Sequence, residues 1–248
     1  PREAGALMVV TADSAAGTIG GGRLEWDAIA SARNMLFEQS KTCAKIPGFF
    51  LDIPLGPEIG QCCGGRVRLW IRRGDAAAVE ALEMEERAAA SSRPTVQIYG
   101  AGHVGRALAL ALVPLPLRVV LADVRPEELA LATDQRIERV LATSLTDLAA
   151  GAPEGAAHVV MTHSHALDSL IAAAVLEAGR HRYLGLIGSQ TKKALFFKGF
   201  RALGIAPAAM AAIACPIGGA QVRDKRPSVI AALAAAEIVT ALMGGQRD

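Results

Sequence analysis

The chain has 248 residues, 52% hydrophobic, 20% charged and 4% aromatic. At roughly 150 residues per domain this makes one large or two small domains, with enough apolar material to exclude disorder as the main state. Its 26 basic and 24 acidic residues leave a net charge of +2, which argues against a basic nucleic-acid-binding module and against an acidic tail. Residues 6–11 read as a strand, and Asp13 to Gly17 supply turn residues. Gly20, Gly21 and Gly22 lead into a helix reaching about Gln39. Residues 48–53 and 66–72 read as two more strands, joined by a Gly/Pro-rich stretch from Pro54 to Gly65 that suits neither helix nor strand. A solvated helix is expected over 75–90, followed by a linker at Ser91-Ser92-Arg93-Pro94. Beyond it the apolar stretches 95–99, 118–122, 157–162 and 182–187 alternate with alanine-rich helical segments. That rhythm predicts a parallel sheet covered on both faces. The fold class is therefore α/β: a small N-terminal α+β domain over 1–90, then a Rossmann-like doubly wound domain over 94–248.

The cysteines are Cys43, Cys62, Cys63 and Cys215, with no CxxC pair. They do not form a disulfide framework and fit a reducing cytoplasm. No run of about 18 apolar residues occurs, so neither a membrane span nor a signal peptide is expected.

Several loops carry chemical promise. Gly100-Ala101-Gly102-His103-Val104-Gly105 follows the strand ending at Tyr99 and opens a helix around Arg106–Val113. Gly100 permits the turn, Gly102 lets a phosphate approach the backbone, and Gly105 lets the helix pack on the strand. Asp123 ends the next strand where ribose hydroxyls are usually read, and Arg125 is placed to hold an anion. Gln61-Cys62-Cys63-Gly64-Gly65 presents adjacent thiols, which are soft ligands and nucleophiles but do not suit a closed zinc site. Gly20, Gly21, Gly22 and Arg23 form an anion cradle at a helix N-terminus, or equally a tight turn where backbones cross. In Thr162-His163-Ser164-His165-Ala166-Leu167-Asp168, the His-x-His with Asp168 suits metal binding or acid/base chemistry. The plainer reading, preferred over metal, has Asp168 capping the next helix and one histidine as a polar loop residue, with His163 a candidate ligand contact. Gly188 and Ser189, followed by Lys192 and Lys193, make a further phosphate site or a capped helix with solvated lysines. Cys215-Pro216-Ile217-Gly218 reads as a loop.

These pieces, in this order, resemble the XdhC/CoxI family of xanthine dehydrogenase accessory proteins. The residues that carry the resemblance are Pro1-Arg2-Glu3 with Gly5-Ala6, Gly17-Thr18-Ile19-Gly20-Gly21-Gly22 with Leu24-Glu25, Leu55-Gly56-Pro57 with Gln61 to Gly65, Gly100 to Val104, and Asp123 with Arg125-Pro126-Glu127. Thr162-His163 with His165 and Asp168, Tyr183 to Ser189, and Pro216-Ile217-Gly218 complete it. The resemblance implies a chaperone that binds the molybdenum cofactor, as molybdopterin or its dinucleotide form. Such a protein supports sulfuration of the cofactor and inserts it into xanthine dehydrogenase or a related molybdenum hydroxylase. A cysteine desulfurase partner, a homodimer and a cytoplasmic location are likewise implied. Cys62 or Cys63 would contact molybdenum, and spacing does not choose between them. The family also has a strand and a Gly-Ser pair ahead of the residue that matches Pro1, and a different stretch where Gly219 to Pro227 stands here. The competing reading is an NAD(P)-dependent oxidoreductase using Gly100–Gly105 and Asp123. It leaves the Cys-Cys and Gly20–Gly22 loops without a role, so a carrier is preferred to a catalyst.

Overall fold

The computed structural model describes residues 5–41, 48–54, 65–219, 221–222 and 224–244. The chain divides into two compact units between Arg87 and Ala88.

In the first unit, β1 (Met8–Val10) pairs antiparallel with β2 (Ala15–Gly17). The stretch read as a turn thus contributes a short strand of its own. Helix α1 (Gly22–Lys41) follows, then the antiparallel ribbon of β3 (Phe49–Pro54) and β4 (Arg66–Ile71). Period-two alternation turns Leu51, Ile53, Val67 and Leu69 toward α1, where they join Ile19, Leu24 and Ala28 in a small core. On the other face of the ribbon, Phe50 and Trp70 sit directly opposite each other with ring centroids 4.4 Å apart. Helix α2 (Ala76–Ser92) runs two residues into the predicted linker. The Ser91 and Ser92 hydroxyls bond the carbonyls of Ala88 and Ala89.

The second unit is built on five parallel strands in the order β7-β6-β5-β8-β9: β5 (Thr95–Tyr99), β6 (Arg118–Asp123), β7 (Ile137–Leu141), β8 (Ala157–Val160) and β9 (Tyr183–Leu186). From β5 the chain builds outward through β6 and β7, then returns to the other side of β5 with β8 and β9. The C-terminal ends of β5 and β8 therefore flank a topological switch point, where doubly wound sheets bind ligands. Four of the strands were legible as apolar runs. β7 was not, because an edge strand reading Ile-Glu-Arg-Val-Leu carries two charges in its middle.

Side-chain alternation splits the core into two layers. Val96, Ile98, Val119 and Leu121 face α3 (His103–Leu112) and α9 (Pro227–Met243), where Leu108, Leu112, Ala231, Ala234 and Ile238 close the layer. Tyr99, Val160, Leu184 and Leu186 face α5 (Leu145–Ala150), α6 (His165–Ala178) and α7 (Gln190–Ala202). In that layer the buried Tyr99 hydroxyl lies 2.9 Å from Nδ1 of His158 and 3.2 Å from the Gln97 amide oxygen. Burial, reinforced by His181, pushes the His158 imidazole down to about 4, so it sits in the sheet as a neutral hydrogen-bonding group. Short α4 (Pro126–Ala130) and α8 (Pro207–Ala211) complete the unit. Beyond β9 the chain returns alongside it: the Leu186 amide donates to Ala214 O, and the Ala214 amide to Leu184 O.

Candidate functional site

The Gly20–Gly22 loop in the first unit is an anion cradle that the chain fills itself. The Thr18 hydroxyl and the amides of Ile19 (2.9 Å), Gly20 (3.2 Å) and Gly21 (2.9 Å) all donate to Oε1 of Glu25. The three glycines have positive φ, which lets successive N–H groups converge on one point. Donation by Thr18 first, then by the Gly21 amide, holds the Glu25 carboxyl below its ordinary value. Arg23 lies 3.6 Å from Asp27 on the solvent side of α1. Removing the internal anion has a testable consequence. Glu25→Ala should lower the thermal midpoint, and added phosphate should restore part of the loss while leaving the parent protein unchanged. A variant that phosphate does not rescue would show that the amides do not act as an anion site. Gln61, Cys62 and Cys63 lie outside the described residues.

In the second unit, the predicted positions meet along the C-terminal edge of the sheet. Gly100 follows β5 with φ +111°, and a Cβ there would stand 2.4 Å from Met161 O. A Cβ at Gly105 would stand 1.9 Å from Gly100 O, so α3 starts in backbone contact with the loop. At Gly102 a Cβ would meet nothing within 4 Å. Gly102 is also the N-cap of α3, with no side chain capping it. The start of α3 thus has no side-chain cap, the helix dipole lies behind it, and exposed His103 stands at the same turn.

Asp123 is 2% exposed, and its oxygens are already engaged. Oδ2 accepts from the Ala101 amide at 2.7 Å and from Arg125 Nη2 at 2.8 Å. Oδ1 accepts from the Arg125 amide at 3.0 Å and from its Nε at 2.9 Å. Burial works to raise this carboxyl, but the Arg125 guanidinium and the two amides more than offset it and leave it below the usual aspartate range. Asp123 therefore ties the glycine loop to the Arg125 turn. Arg106, which the sequence reading passed over, donates from Nη1 to both Ala101 O and Glu128 Oε2. Its position four residues after Gly102 was the available signal.

At the end of β8, the cap of α6 is Ser164, whose hydroxyl accepts from the Leu167 amide. The expectation that Asp168 caps this helix is corrected. Asp168 is 1% exposed and reaches back to β8, where Oδ1 accepts from the Thr162 amide at 2.9 Å and hydroxyl at 2.7 Å. His163 and His165 are both exposed. At the end of β9, Ser189 caps α7 by accepting from the Lys192 amide. A Cβ at Gly188 would lie 3.4 Å from the Cys215 sulfur. Cys215 is unpaired and buried, and burial pushes its thiol up, partly offset by Lys193. Among the described residues no group of three histidine, cysteine or acidic side chains is placed to hold a metal ion. No described helix is long and apolar enough to cross a membrane.

Residues 96–238, more than half of the chain, match the XdhC Rossmann domain, and residues 1–45 match the XdhC and CoxI family. The chain belongs to the XdhC family. It is 26% identical over 252 residues to the uncharacterized protein YqeB of Escherichia coli (strain K12), a match covering 96% of this chain. The chain spans 40% of the length of that curated relative. Among solved structures, a crystal structure described as a xanthine dehydrogenase from Bacillus halodurans superposes with a TM-score of 0.75. That match has 16% identity and covers 99% of this chain and 88% of the other. At that identity the likeness speaks for the fold.

Proposed function

We propose that this XdhC-family chain is a carrier of the molybdenum cofactor, which receives the cofactor, supports its sulfuration and delivers it to a xanthine dehydrogenase or a related molybdenum hydroxylase. The observation that carries this reading is the pairing of an open phosphate position with an engaged acidic residue. The amides after Gly102 are free to take a phosphate, whereas the Asp123 carboxylate already has its donors from Ala101 and Arg125. A phosphate-bearing pterin needs the first feature and not the second. A dinucleotide enzyme that reads a ribose needs both.

The thiophilic end of the cargo would be served by Cys62 or Cys63, since molybdenum suits soft sulfur donors. The Glu25-filled cradle is given no phosphate in this scheme. His103, His163 and Arg125 border the open edge and would contact the pterin or its phosphate, while Gly188 and Ser189 shape the neighbouring turn. A cysteine desulfurase would supply the sulfur, in the cytoplasm, with the carrier acting as a homodimer.

The test is a release assay on the full chain purified from cells that make the cofactor. Molybdenum, oxidised pterin fluorescence and nicotinamide nucleotide are quantified after denaturation. Molybdenum and pterin near one per chain are expected, with nicotinamide absent. Nicotinamide without pterin would replace the carrier by an oxidoreductase. Cys62→Ser and Cys63→Ser are expected to separate in this assay, one retaining the cargo and the other losing most of it. Full retention and transfer by both would remove the thiols from the site.

A further inference from the structure

A groove at the same sheet edge shares no residue with the α3 loop, and its chemistry is not used by the carrier reading. It lies between the first turns of α6 and α7 and has a volume of about 260 Å³, lined by His165, Ala166, Ser169, Lys192, Leu195 and Phe196. That is room for one ring with a small substituent, just below the usual range for ligand pockets.

Behind it sits an unusual carboxylate. Oδ1 of Asp168 is held by both donors of Thr162, while Oδ2 is buried with no hydrogen-bond partner. The nearest cation-forming atom to that oxygen is Nδ1 of His165, at 3.7 Å. A buried carboxylate oxygen without a donor is costly, and a small turn of the imidazole would supply one. Asp168 then fixes the Nδ1–H side of His165 inward, and a ring carrying both protons keeps Nε2–H for an anion in the groove that His165 lines. The imidazole is 52% exposed and meets the Phe196 ring edge-on at 6.2 Å. Lys192 also lines the groove and adds an ammonium donor. The remaining wall is apolar, and Leu195 is 65% exposed.

We propose that this groove binds a small planar anion, a ring bearing one phosphate or carboxylate, with His165 and Lys192 on the anionic group and Phe196 and Leu195 against the ring. Asp168 is a positioning residue for His165. Burial raises its carboxyl above the ordinary aspartate value, and the Thr162 bonds and His165 work against that rise. The fold therefore carries a charge that a neutral isostere would spare it.

Phenyl phosphate is the probe, with inorganic phosphate and phenol as its two halves, followed through the imidazole NMR signals of the full chain and by calorimetric titration. Phenyl phosphate is expected to bind at millimolar concentration or tighter, to shift the His165 signals, and to bind about tenfold more tightly than inorganic phosphate. Asp168→Asn keeps an acceptor for Thr162. Its thermal midpoint at pH 8 should equal or exceed that of the parent, while its affinity for phenyl phosphate falls about tenfold. Lys192→Gln should lose affinity similarly with an unchanged midpoint, and it decides the matter alone if the Asp168 variant does not fold. Unmoved His165 signals at about 10 mM probe, or variants that bind like the parent, would overturn the proposal. So would a response confined to His103, which would place the anion on α3 instead. Because no cofactor enters the experiment, its failure leaves the carrier reading intact.

Discussion

Gly105→Ala should destabilise the second unit by about 3 kcal/mol or more, at or beyond the upper end for overpacked positions. The added methyl would stand 1.9 Å from Gly100 O and 3.1 Å from Gly100 C. Both are backbone atoms, so no rotamer change relieves the clash. Gly100 cannot retreat either, because its own far side is closed by Met161 O. With total stabilities of roughly 5–15 kcal/mol, such a loss is a large fraction of what holds a domain folded. Urea unfolding at neutral pH measures it as a fall in midpoint. Gly102→Ala is the matched comparison. Its φ of −64° suits any residue and its methyl meets nothing, so the cost should stay within about 1 kcal/mol at an N-cap. Under the carrier reading proposed above, that methyl would crowd the phosphate position, so cofactor retention should fall while the fold stands. Equal stability losses in the two variants would contradict the packing described for this loop.

Asp123→Ala should cost roughly 3 kcal/mol at neutral pH, the scale for removing one partner of a buried charge pair. It leaves the Ala101 amide without its acceptor and releases the Arg125 side chain, which also stands 3.8 Å from Glu128. Asp123→Asn keeps an acceptor for Ala101 but loses the charge, so it should fall between the parent and the alanine variant. The pH dependence identifies the charge. The folded Asp123 carboxyl lies below its ordinary value of 3.8. Its contribution is therefore complete above about pH 5 and is lost as pH falls through the folded value. The stability gap between parent and Asp123→Asn should be flat from pH 8 to about pH 5 and should close below pH 4. A gap that stays open in acid would assign the loss to packing. The buried His158 weakens both proteins alike between about pH 6.5 and its folded value near 4, so it cancels in the comparison.

The doubly wound architecture was legible in the sequence because β5, β6, β8 and β9 are almost fully buried and apolar apart from Thr95, Gln97, Arg118, Asp123 and His158. β7 escaped because an edge strand need not be apolar, and Glu138 and Arg139 are exposed there. β2 escaped because Ala15-Ala16-Gly17 carries turn-like composition, and only its pairing with Met8–Val10 makes it a strand. The close packing at Gly105 could be read as well, since a glycine there was expected to let the helix pack on the strand. What the sequence hid was the allocation of donors and acceptors. Glu25 stands four residues after Gly21 and could have faced solvent; instead it takes the amides of its own loop. Ser164 and Asp168 both occupy places from which a helix start can be served, and three-dimensional proximity to Thr162 decides between them. Long-range competition for hydrogen bonds leaves no periodic trace in a sequence.

The two ends of the five-stranded sheet bear on how copies of this protein coexist in concentrated solution. With a net charge of +2, long-range repulsion does little to hold molecules apart. Resistance to sheet-to-sheet fusion has to be local. On the β9 side the chain covers its own backbone, since Ala214 takes the hydrogen bonds that a foreign strand would otherwise claim. On the β7 side the guard is ionic: Arg118 grips both oxygens of Glu138, and Arg139 stands exposed beside them. Charge on a terminal strand makes docking of another strand costly, because the incoming backbone would desolvate it. Protection of that edge thus rests on three side chains, Arg118 of β6 and Glu138 and Arg139 of β7.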